Sequence, residues 1–269
     1  MSKKARIETY ENAQKRMSEK TKKIIKMCVA GFLALCVLGG VITMAALGMI
    51  SKGNMPQYYV DKAPVNSNTS LNGKTVIFLG SSVTYGYAAF GNSFVELLEH
   101  CDGIIPVKEA VSGTTLVDNG DKSYVARLKT IDKDINAYCF ICQLSTNDAT
   151  KNMPLGELST SFNKDDFDTS TIIGAIEYII AYANETWNCP VAFYTGTKYD
   201  SENYEAMVNA LYQVEGKWHI GVIDLWNNEE MNAVSHEDYK LYMADGVHPT
   251  LAGYRWWLPE FEKYLENAR

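Results

Sequence analysis

Short apolar runs of strand length alternate with segments of helical spacing from residue 75 to the end of the chain. The apolar runs are 75–79, 104–111, 137–144, 190–194 and 220–225, and the helical segments are 93–100, 123–131, 171–187, 204–218 and about 251–267. Strands that alternate with helices predict βαβ units, and right-handed crossovers then place helices on both faces of a parallel sheet. The nearly continuous apolar character of the runs agrees, because strands of a parallel sheet are buried on both sides.

A stretch of 24 residues without charge, 27–50, precedes this pattern. As a helix it would span roughly 36 Å, which exceeds a hydrocarbon core of about 30 Å. Residues 1–26 carry nine Lys and Arg against three Glu, and the positive-inside rule keeps such a segment in the cytoplasm. We therefore expect a basic cytoplasmic tail over 1–26, a single transmembrane helix over 27–50, a linker over 51–73 and an extracellular domain over 74–269.

Two alternatives for the apolar stretch stay open. It could be a cleaved signal peptide, with Ala46-Leu47-Gly48 as a small-residue cleavage site, or a lipoprotein signal that ends at Cys36. The uncleaved anchor is favoured because the stretch is much longer than the 7–15 apolar residues of a typical signal core. Leu35 also stands where a lipoprotein signal requires a small residue.

Charge and cysteine content limit the possible partners. The net charge is −7, and the positive tail leaves −13 on residues 27–269, so nucleic-acid binding is not expected. Cys139-Phe140-Ile141-Cys142 lies inside an apolar run, where buried cysteine behaves as a small hydrophobic residue. No second pair exists to complete a zinc site. We expect no metal and no cofactor, and a disulfide among the domain cysteines stays open.

Polar residues of three kinds directly follow the first three predicted strands. Ser82 lies in a Gly-rich turn, Ser112-Gly113 comes next, and Asn147 belongs to the segment Ser145-Thr146-Asn147-Asp148. In a doubly wound sheet with strand order 2-1-3-4-5, the first three strands are neighbours, and ligands bind at their carboxyl ends. We therefore expect these three loops to converge at one crevice.

Asp245 and His248 lie near the C-terminus in Asp245-Gly246-Val247-His248-Pro249. A serine hydroxyl becomes a useful nucleophile when a base removes its proton. His248 can be that base, and Asp245 can fix its tautomer. The backbone N–H groups of Ser82 and Gly113 and the side-chain amide of Asn147 could form an oxyanion hole for an attacked ester. Each residue alone more often has a structural role, and it is the joint occurrence in this order that indicates a serine hydrolase.

These motifs resemble those of the SGNH, or GDSL-like, hydrolase superfamily over about residues 74–269. The nucleophile motif, usually Gly-Asp-Ser-x-Thr-x-Gly, is Gly80-Ser81-Ser82-Val83-Thr84-Tyr85-Gly86 here, and Asp-x-x-His-Pro is intact. The resemblance implies a flavodoxin-like three-layer α/β/α fold with a five-stranded parallel sheet. It also implies ester hydrolysis through an acyl-enzyme, and it gives Ser82, Gly113, Asn147, Asp245 and His248 the roles described above.

The sequence departs from the family pattern at two positions. Ser81 replaces an Asp that mainly organises the nucleophile loop, and Ser145 replaces a Gly before Asn147. An α/β-hydrolase is a weaker alternative, because it requires Gly-x-Ser-x-Gly and position 84 is Thr.

The substrate is expected to be a small acyl ester on an extracellular carbohydrate, with a short-chain lipid ester second. Tyr85, Tyr87, Phe90 and the Trp226 region could give a surface for sugar or acyl groups, or they could simply pack in the core or loops. Two competing functions use the same domain. One is an O-acyltransferase acting on cell-surface glycan with the same triad, and the other is a catalytically silent glycan-binding domain.

Overall fold

The computed structural model of the protein describes residues 3–46 and 50–268. They form two compact units, which are a long N-terminal helix and an α/β domain that takes up the rest of the chain.

The N-terminal helix, α1, runs from Lys3 to Ala46 and is continuous across the predicted boundary at residue 26. Within the described part of the chain it is the one helix long and apolar enough to cross a membrane, over Gln14–Gly40, a property that N-terminal signal sequences share. Of the predicted transmembrane segment 27–50, residues up to Ala46 are helical, 47–49 lie outside the described residues, and Ile50 lies in a bend. The limits of the four predicted segments stay a prediction.

The domain is built on a five-stranded parallel sheet with the strand order β2-β1-β3-β4-β5, which confirms the predicted fold class. The strands are β1 (Thr75–Gly80), β2 (Ile105–Ala110), β3 (Cys139–Gln143), β4 (Val191–Tyr194) and β5 (Gly221–Ile223). The central strands β1 and β3 are buried along almost their whole length. They form because their side chains are apolar on both faces, as a doubly covered sheet requires.

Helices cover the sheet on both faces. They are α2 (Ser82–Tyr85), α3 (Phe94–Asp102), α4 (Tyr124–Leu128), α5 (Thr146–Thr150), α6 (Ile172–Trp187), α7 (Glu202–Trp218), α8 (Glu229–Asn232), α9 (His236–Tyr242) and α10 (Leu251–Asn267). One core cluster joins alternate residues of β1 and β3, such as Ile77 and Phe140, to α4, α6 and α7. The other joins Phe78 and Ile141 to α3 and α10. The alternation of side chains along each strand thus divides the core into two layers.

The segment 51–73 packs on the domain, although its sequence has no apolar period. Three short 3₁₀ turns, Lys52–Asn54, Pro56–Tyr58 and Val60–Lys62, contact the helices α3, α9 and α10. Asn54 is 5% exposed. Its Nδ2 donates to the Ala88 carbonyl at 2.7 Å, and its Oδ1 accepts from the Leu251 backbone N–H at 2.9 Å. The buried side-chain amide of Asn54 therefore links this segment by hydrogen bonds to two parts of the domain that are distant in sequence.

The domain cysteines are buried and unpaired. Cys139 and Cys142 lie on β3 with no exposed surface. Burial raises the pKa of Cys101 and Cys189 to about 11. Among the described residues no group of three or more His, Cys, Asp and Glu could hold a metal ion.

Candidate active site

Ser82 is the first residue of α2, two residues after the carboxyl end of β1. The turn is tight, and Gly86 ends α2 at φ +86° with its N–H donated to the Ser82 carbonyl at 3.0 Å. A Cβ at Gly86 would lie 2.4 Å from the Asn92 carbonyl oxygen. Glycine is therefore required there both for its backbone conformation and for space.

His248 and Asp245 reach Ser82 from the loop before α10. His248 Nε2 lies 2.8 Å from Ser82 Oγ, and His248 Nδ1 lies 2.8 Å from Asp245 Oδ2. With the Nδ1 hydrogen donated to the carboxylate, Nε2 is left to accept the Ser82 hydroxyl hydrogen. Asp245, His248 and Ser82 thus form one continuous hydrogen-bonded chain. Its longest step in sequence, from Ser82 to His248, spans 166 positions.

The turn around Asp245 is held by its own carboxylate. Asp245 Oδ1 accepts the backbone N–H groups of Val247 at 2.8 Å and His248 at 2.7 Å. Partial burial raises the pKa of Asp245, but the hydrogen bond and charge of His248 together with the two backbone N–H groups outweigh it and lower the pKa to about 2. Asp245 is therefore ionised across the whole neutral and mildly acidic range.

Gly113 and Asn147 lie on the two neighbouring loops. Gly113 has φ +80°, and a Cβ there would meet no atom within 4 Å, so glycine is favoured by the backbone conformation alone. Asn147 Nδ2 donates to the Thr114 carbonyl at 2.9 Å and to Ser81 Oγ at 3.2 Å. Asn147 thus contacts the residue before Ser82 and the residue after Gly113. The three predicted loops lie together, as expected from the strand order.

Gln143, which the sequence did not single out, organises the nucleophile turn. It ends β3 and is 1% exposed. Its Oε1 accepts the backbone N–H groups of Ser81 at 2.9 Å and Thr84 at 3.3 Å, and also both of their hydroxyl groups. One carbonyl oxygen from the adjacent strand therefore fixes the residues on both sides of Ser82.

Arg127 of α4 is a second residue that the sequence did not indicate. Its buried guanidinium pairs with Glu109 at 3.0 Å. Its Nη2 donates to the Gly80 carbonyl at 2.8 Å and to Thr114 Oγ1 at 3.1 Å. The side chain thus joins the end of β1 to the loop that follows Gly113. A lone Arg in a helical segment carries no sequence signal for such a contact.

The two departures from the family pattern are accommodated by ordinary geometry. The Ser81 hydroxyl lies between Gln143 Oε1 and Asn147 Nδ2, so it takes part in the loop contacts. Ser145 has φ −73° and ψ 121°, which any residue adopts, so no glycine is needed there.

Asp148 is fully buried and accepts the N–H groups of Leu116 and Val117 at 2.8 and 3.1 Å. Burial raises the pKa of Asp148 despite these bonds.

Of the aromatic candidates near the site, Tyr87 places its ring 5.3 Å from the His248 ring, centroid to centroid. Tyr85 and Phe90 are exposed, whereas Trp226 is buried in the core against Tyr204. Trp226 itself therefore offers no surface to a ligand.

Comparison with known proteins identifies the family of the chain. The sequence matches the GDSL-like Lipase/Acylhydrolase family over residues 78–256, whereas no curated protein matches the chain significantly.

Solved structures share the fold. One crystal structure is 26% identical, with a TM-score of 0.61 over 75% of this chain and 100% of the other. A Lactobacillus plantarum protein is 20% identical, with a TM-score of 0.59 over 72% and 97% of the two chains. A Bacteroides ovatus protein described as GDSL-like is 15% identical, with a TM-score of 0.54 over 73% and 100%. Because the family match covers more than half of its residues, the chain belongs to the GDSL-like lipase/acylhydrolase family.

Proposed function

We propose that the protein is a serine esterase that removes a small acyl group from an extracellular carbohydrate or a short-chain lipid through a covalent acyl-enzyme. The observation that carries this proposal is the hydrogen-bonded chain from Asp245 through His248 to Ser82, with 2.8 Å at each of its two links. It provides a nucleophile, a base and a group that orients the base, in the arrangement that acyl transfer needs.

In the first half-reaction Ser82 Oγ attacks the ester carbonyl carbon while its proton moves to His248 Nε2. The bond to the alcohol breaks as His248 returns the proton to the departing oxygen. In the second half-reaction His248 removes a proton from water, which attacks the acyl carbon. The bond from that carbon to Ser82 Oγ then breaks, His248 returns the proton to Ser82 Oγ, and the acid leaves. Asp245 stays ionised throughout, because its pKa is about 2, and it stabilises the imidazolium that forms in each half.

The tetrahedral intermediates carry negative charge on the former carbonyl oxygen. The backbone N–H groups of Ser82 and Gly113 and the amide of Asn147 are the proposed donors. Both amide hydrogens of Asn147 are engaged, and the bond to Ser81 Oγ is the longer of the two. The oxyanion would take over this weaker bond, while the bond to Thr114 keeps the amide oriented.

We further propose that α1 anchors the protein in a membrane as a single span, with the basic tail in the cytoplasm and the domain outside. The support is the apolar stretch within α1 and the excess of Lys and Arg before it, which the positive-inside rule places in the cytoplasm. The substrate would then be a glycan or lipid that the domain meets at the cell surface.

The test uses the full chain in phospholipid nanodiscs, with p-nitrophenyl acetate and longer-chain esters, and compares the wild type with Ser82→Ala. We expect release that depends on Ser82 and is fastest for the acetate. Addition of a glycan acceptor separates the two enzymatic alternatives, because an O-acyltransferase would form an acylated glycan at the expense of free acid. No release from a folded protein would favour the silent domain and contradict the proposal.

A further inference from the structure

A concave surface lies a few residues along the chain from the candidate active site. It is a groove of about 430 Å³ lined by Tyr59, Val60, Asp61, Phe90, Asn92 and Leu251. This volume is within the range of small-ligand sites, about 300–1,000 Å³. The groove contains none of the residues of the hydrogen-bonded chain described above.

Two walls of the groove belong to the chain segments that follow Ser82 and His248. Phe90 lies on the loop after α2, and Leu251, three residues after His248, begins α10. The third wall is the segment 59–61, which precedes the residues matched by the family. Three residues span at most about 11 Å, so the wall at Leu251 lies near His248, and the wall at 59–61 lies outside the residues matched by the family.

The groove is preformed, because hydrogen bonds fix the segments that line it. Arg255 Nη2 donates to the Tyr59 carbonyl at 2.6 Å, which fixes the turn at 59–61 against α10. On the opposite wall the Gly91 N–H donates to the Gly86 carbonyl at 3.0 Å. The buried side chain of Asn54 holds the loop after α2 next to the start of α10, because it forms hydrogen bonds with both Ala88 and Leu251.

Phe90 has an unfavourable backbone conformation and an exposed ring. Its φ is +58°, a left-handed conformation that is rare for a bulky residue and that clusters at ligand sites. The side chain is 43% exposed, and that of Tyr59 on the facing wall is 42% exposed. Two aromatic residues that no core contact accounts for thus border one groove.

We propose that this groove binds a pyranose ring of an uncharged glycan, so that the ester on a neighbouring sugar reaches Ser82; this deepens the proposed function and rests on it. The flat C–H face of a β-linked pyranose stacks on exposed aromatic rings, which provide large, rigid apolar surface. The carboxylate of Asp61 and the carboxamide of Asn92 can bind the hydroxyl groups at its edge.

The charges of the groove favour a sugar over an acyl chain and over an acidic glycan. The hydrogen bond from Lys62, at 2.8 Å, lowers the pKa of Asp61. An alkyl chain laid in the groove would have to remove water from that carboxylate, which is unfavourable. An anionic glycan would meet the net charge of −13 on residues 27–269.

Binding without turnover tests the groove separately from catalysis. Xylohexaose and chitohexaose, two uncharged β-1,4-linked chains, are titrated calorimetrically into the full chain in phospholipid nanodiscs, in a Ser82→Ala background. Tyr59→Ala and Phe90→Asn remove one aromatic wall each, and Asn tolerates the left-handed backbone at position 90. Phe90→Tyr retains the ring, and Phe162→Ala removes a more exposed ring, 60% against 43% for Phe90, outside the groove.

We expect at least one hexasaccharide to bind, and we expect Tyr59→Ala and Phe90→Asn each to weaken its binding about three- to tenfold. Phe90→Tyr and Phe162→Ala should leave the affinity within twofold. If neither glycan binds, or if binding ignores both aromatic substitutions in folded variants, the groove is not a glycan site. A loss confined to the KM for p-nitrophenyl decanoate, measured with Ser82 intact, would assign the groove to an acyl chain and overturn the proposal.

If the glycan binds as expected but the wild type releases no acyl group, the proposed esterase function is contradicted, whereas the assignment of the groove as a glycan site is supported. The two proposals are therefore separable in one set of variants.

Discussion

The two halves of the candidate active site are held in different ways. On the nucleophile side Ser81 and Thr84 are fully buried, and Ser82 is 6% exposed. On the acid–base side the side chain of Asp245 is 58% exposed and that of His248 is 20% exposed. The nucleophile turn is fixed by side chains from other elements, chiefly Gln143 of β3, whereas the His248 turn is fixed mainly by hydrogen bonds within itself.

This difference predicts that substitutions on the two sides will differ in their effects on activity and on stability. A change on the exposed side should affect the chemistry and leave the fold intact, because few buried contacts depend on it. A change on the buried side should affect both, because it leaves buried polar groups without partners.

His248→Asn should give the largest loss of activity with the least loss of stability. It removes the base from the hydrogen-bonded chain, and general base catalysis is worth about 10²–10⁴-fold, so kcat/KM for p-nitrophenyl acetate should fall by at least that factor. The melting temperature should stay within a few degrees, since the side chain lies on an exposed turn. A large drop in melting temperature would show that the His248 turn also holds the fold.

Asn147→Ala should reduce kcat by about 10²–10³-fold, the usual effect of removing one oxyanion donor. The KM should change little, because the donor acts mainly in the transition state. Asn147→Asp keeps the shape, but it has no amide hydrogens and adds a negative charge beside the oxyanion, so it should lose at least as much activity as Asn147→Ala. Full activity in either variant would remove Asn147 from the oxyanion hole.

Gln143→Leu should lower both stability and activity. It leaves the N–H groups of Ser81 and Thr84 without their acceptor, and a buried unsatisfied group costs about 1–3 kcal/mol. We expect about a tenfold loss of kcat and a clear decrease in the free energy of unfolding. Gln143→Glu keeps an acceptor oxygen in the same place and should recover most of the loss. If Gln143→Leu behaves like wild type, the nucleophile turn does not depend on β3.

Glu262→Gln should change stability in a pH-dependent manner and leave catalysis unchanged, because α10 carries Glu262 far along the helix from both halves of the site. Burial, and then the charge of Asp102, raise the pKa of Glu262 to about 7. The protonated carboxyl therefore stabilises the fold below the unfolded-state pKa near 4.5, and this contribution is lost as the pH rises through 7.

The wild type and Glu262→Gln should accordingly unfold alike at pH 4.5, and the variant should be the more stable of the two at pH 8. Urea unfolding at the two pH values measures this difference. A constant difference between the two proteins at both pH values would contradict the raised pKa.

The sequence predicts the sheet well, because its strands are continuous apolar runs between turn residues. The predicted run 137–144 contains β3, and 75–79 nearly coincides with β1. The short helices α2, α5, α8 and α9 could not be predicted, since four to seven residues do not establish a helical period. The packing of residues 51–73 was also hidden, because its buried residues, such as Asn54, Ala63 and Leu71, are too widely spaced to form an apolar period.

The candidate site is predictable where it depends on motifs and not where it depends on packing. Ser82, Asp245 and His248 lie in recognisable local sequences, and the distances between them agree with the predicted roles, which stay predictions until tested. Gln143 and Arg127 lie in a strand and a helix without any motif. Their contribution appears only when the neighbouring strand and helix meet the end of β1.

The most direct test of the account is to label Ser82. The full chain in nanodiscs is treated with a fluorophosphonate probe, and the modified residue is identified by peptide mapping, with Ser82→Ala and His248→Asn as controls. We expect one adduct per chain, on Ser82, that is absent in Ser82→Ala and much slower to form in His248→Asn. A folded wild-type protein that is not labelled, or that is labelled at another serine, would contradict the assignment of Ser82 as the nucleophile.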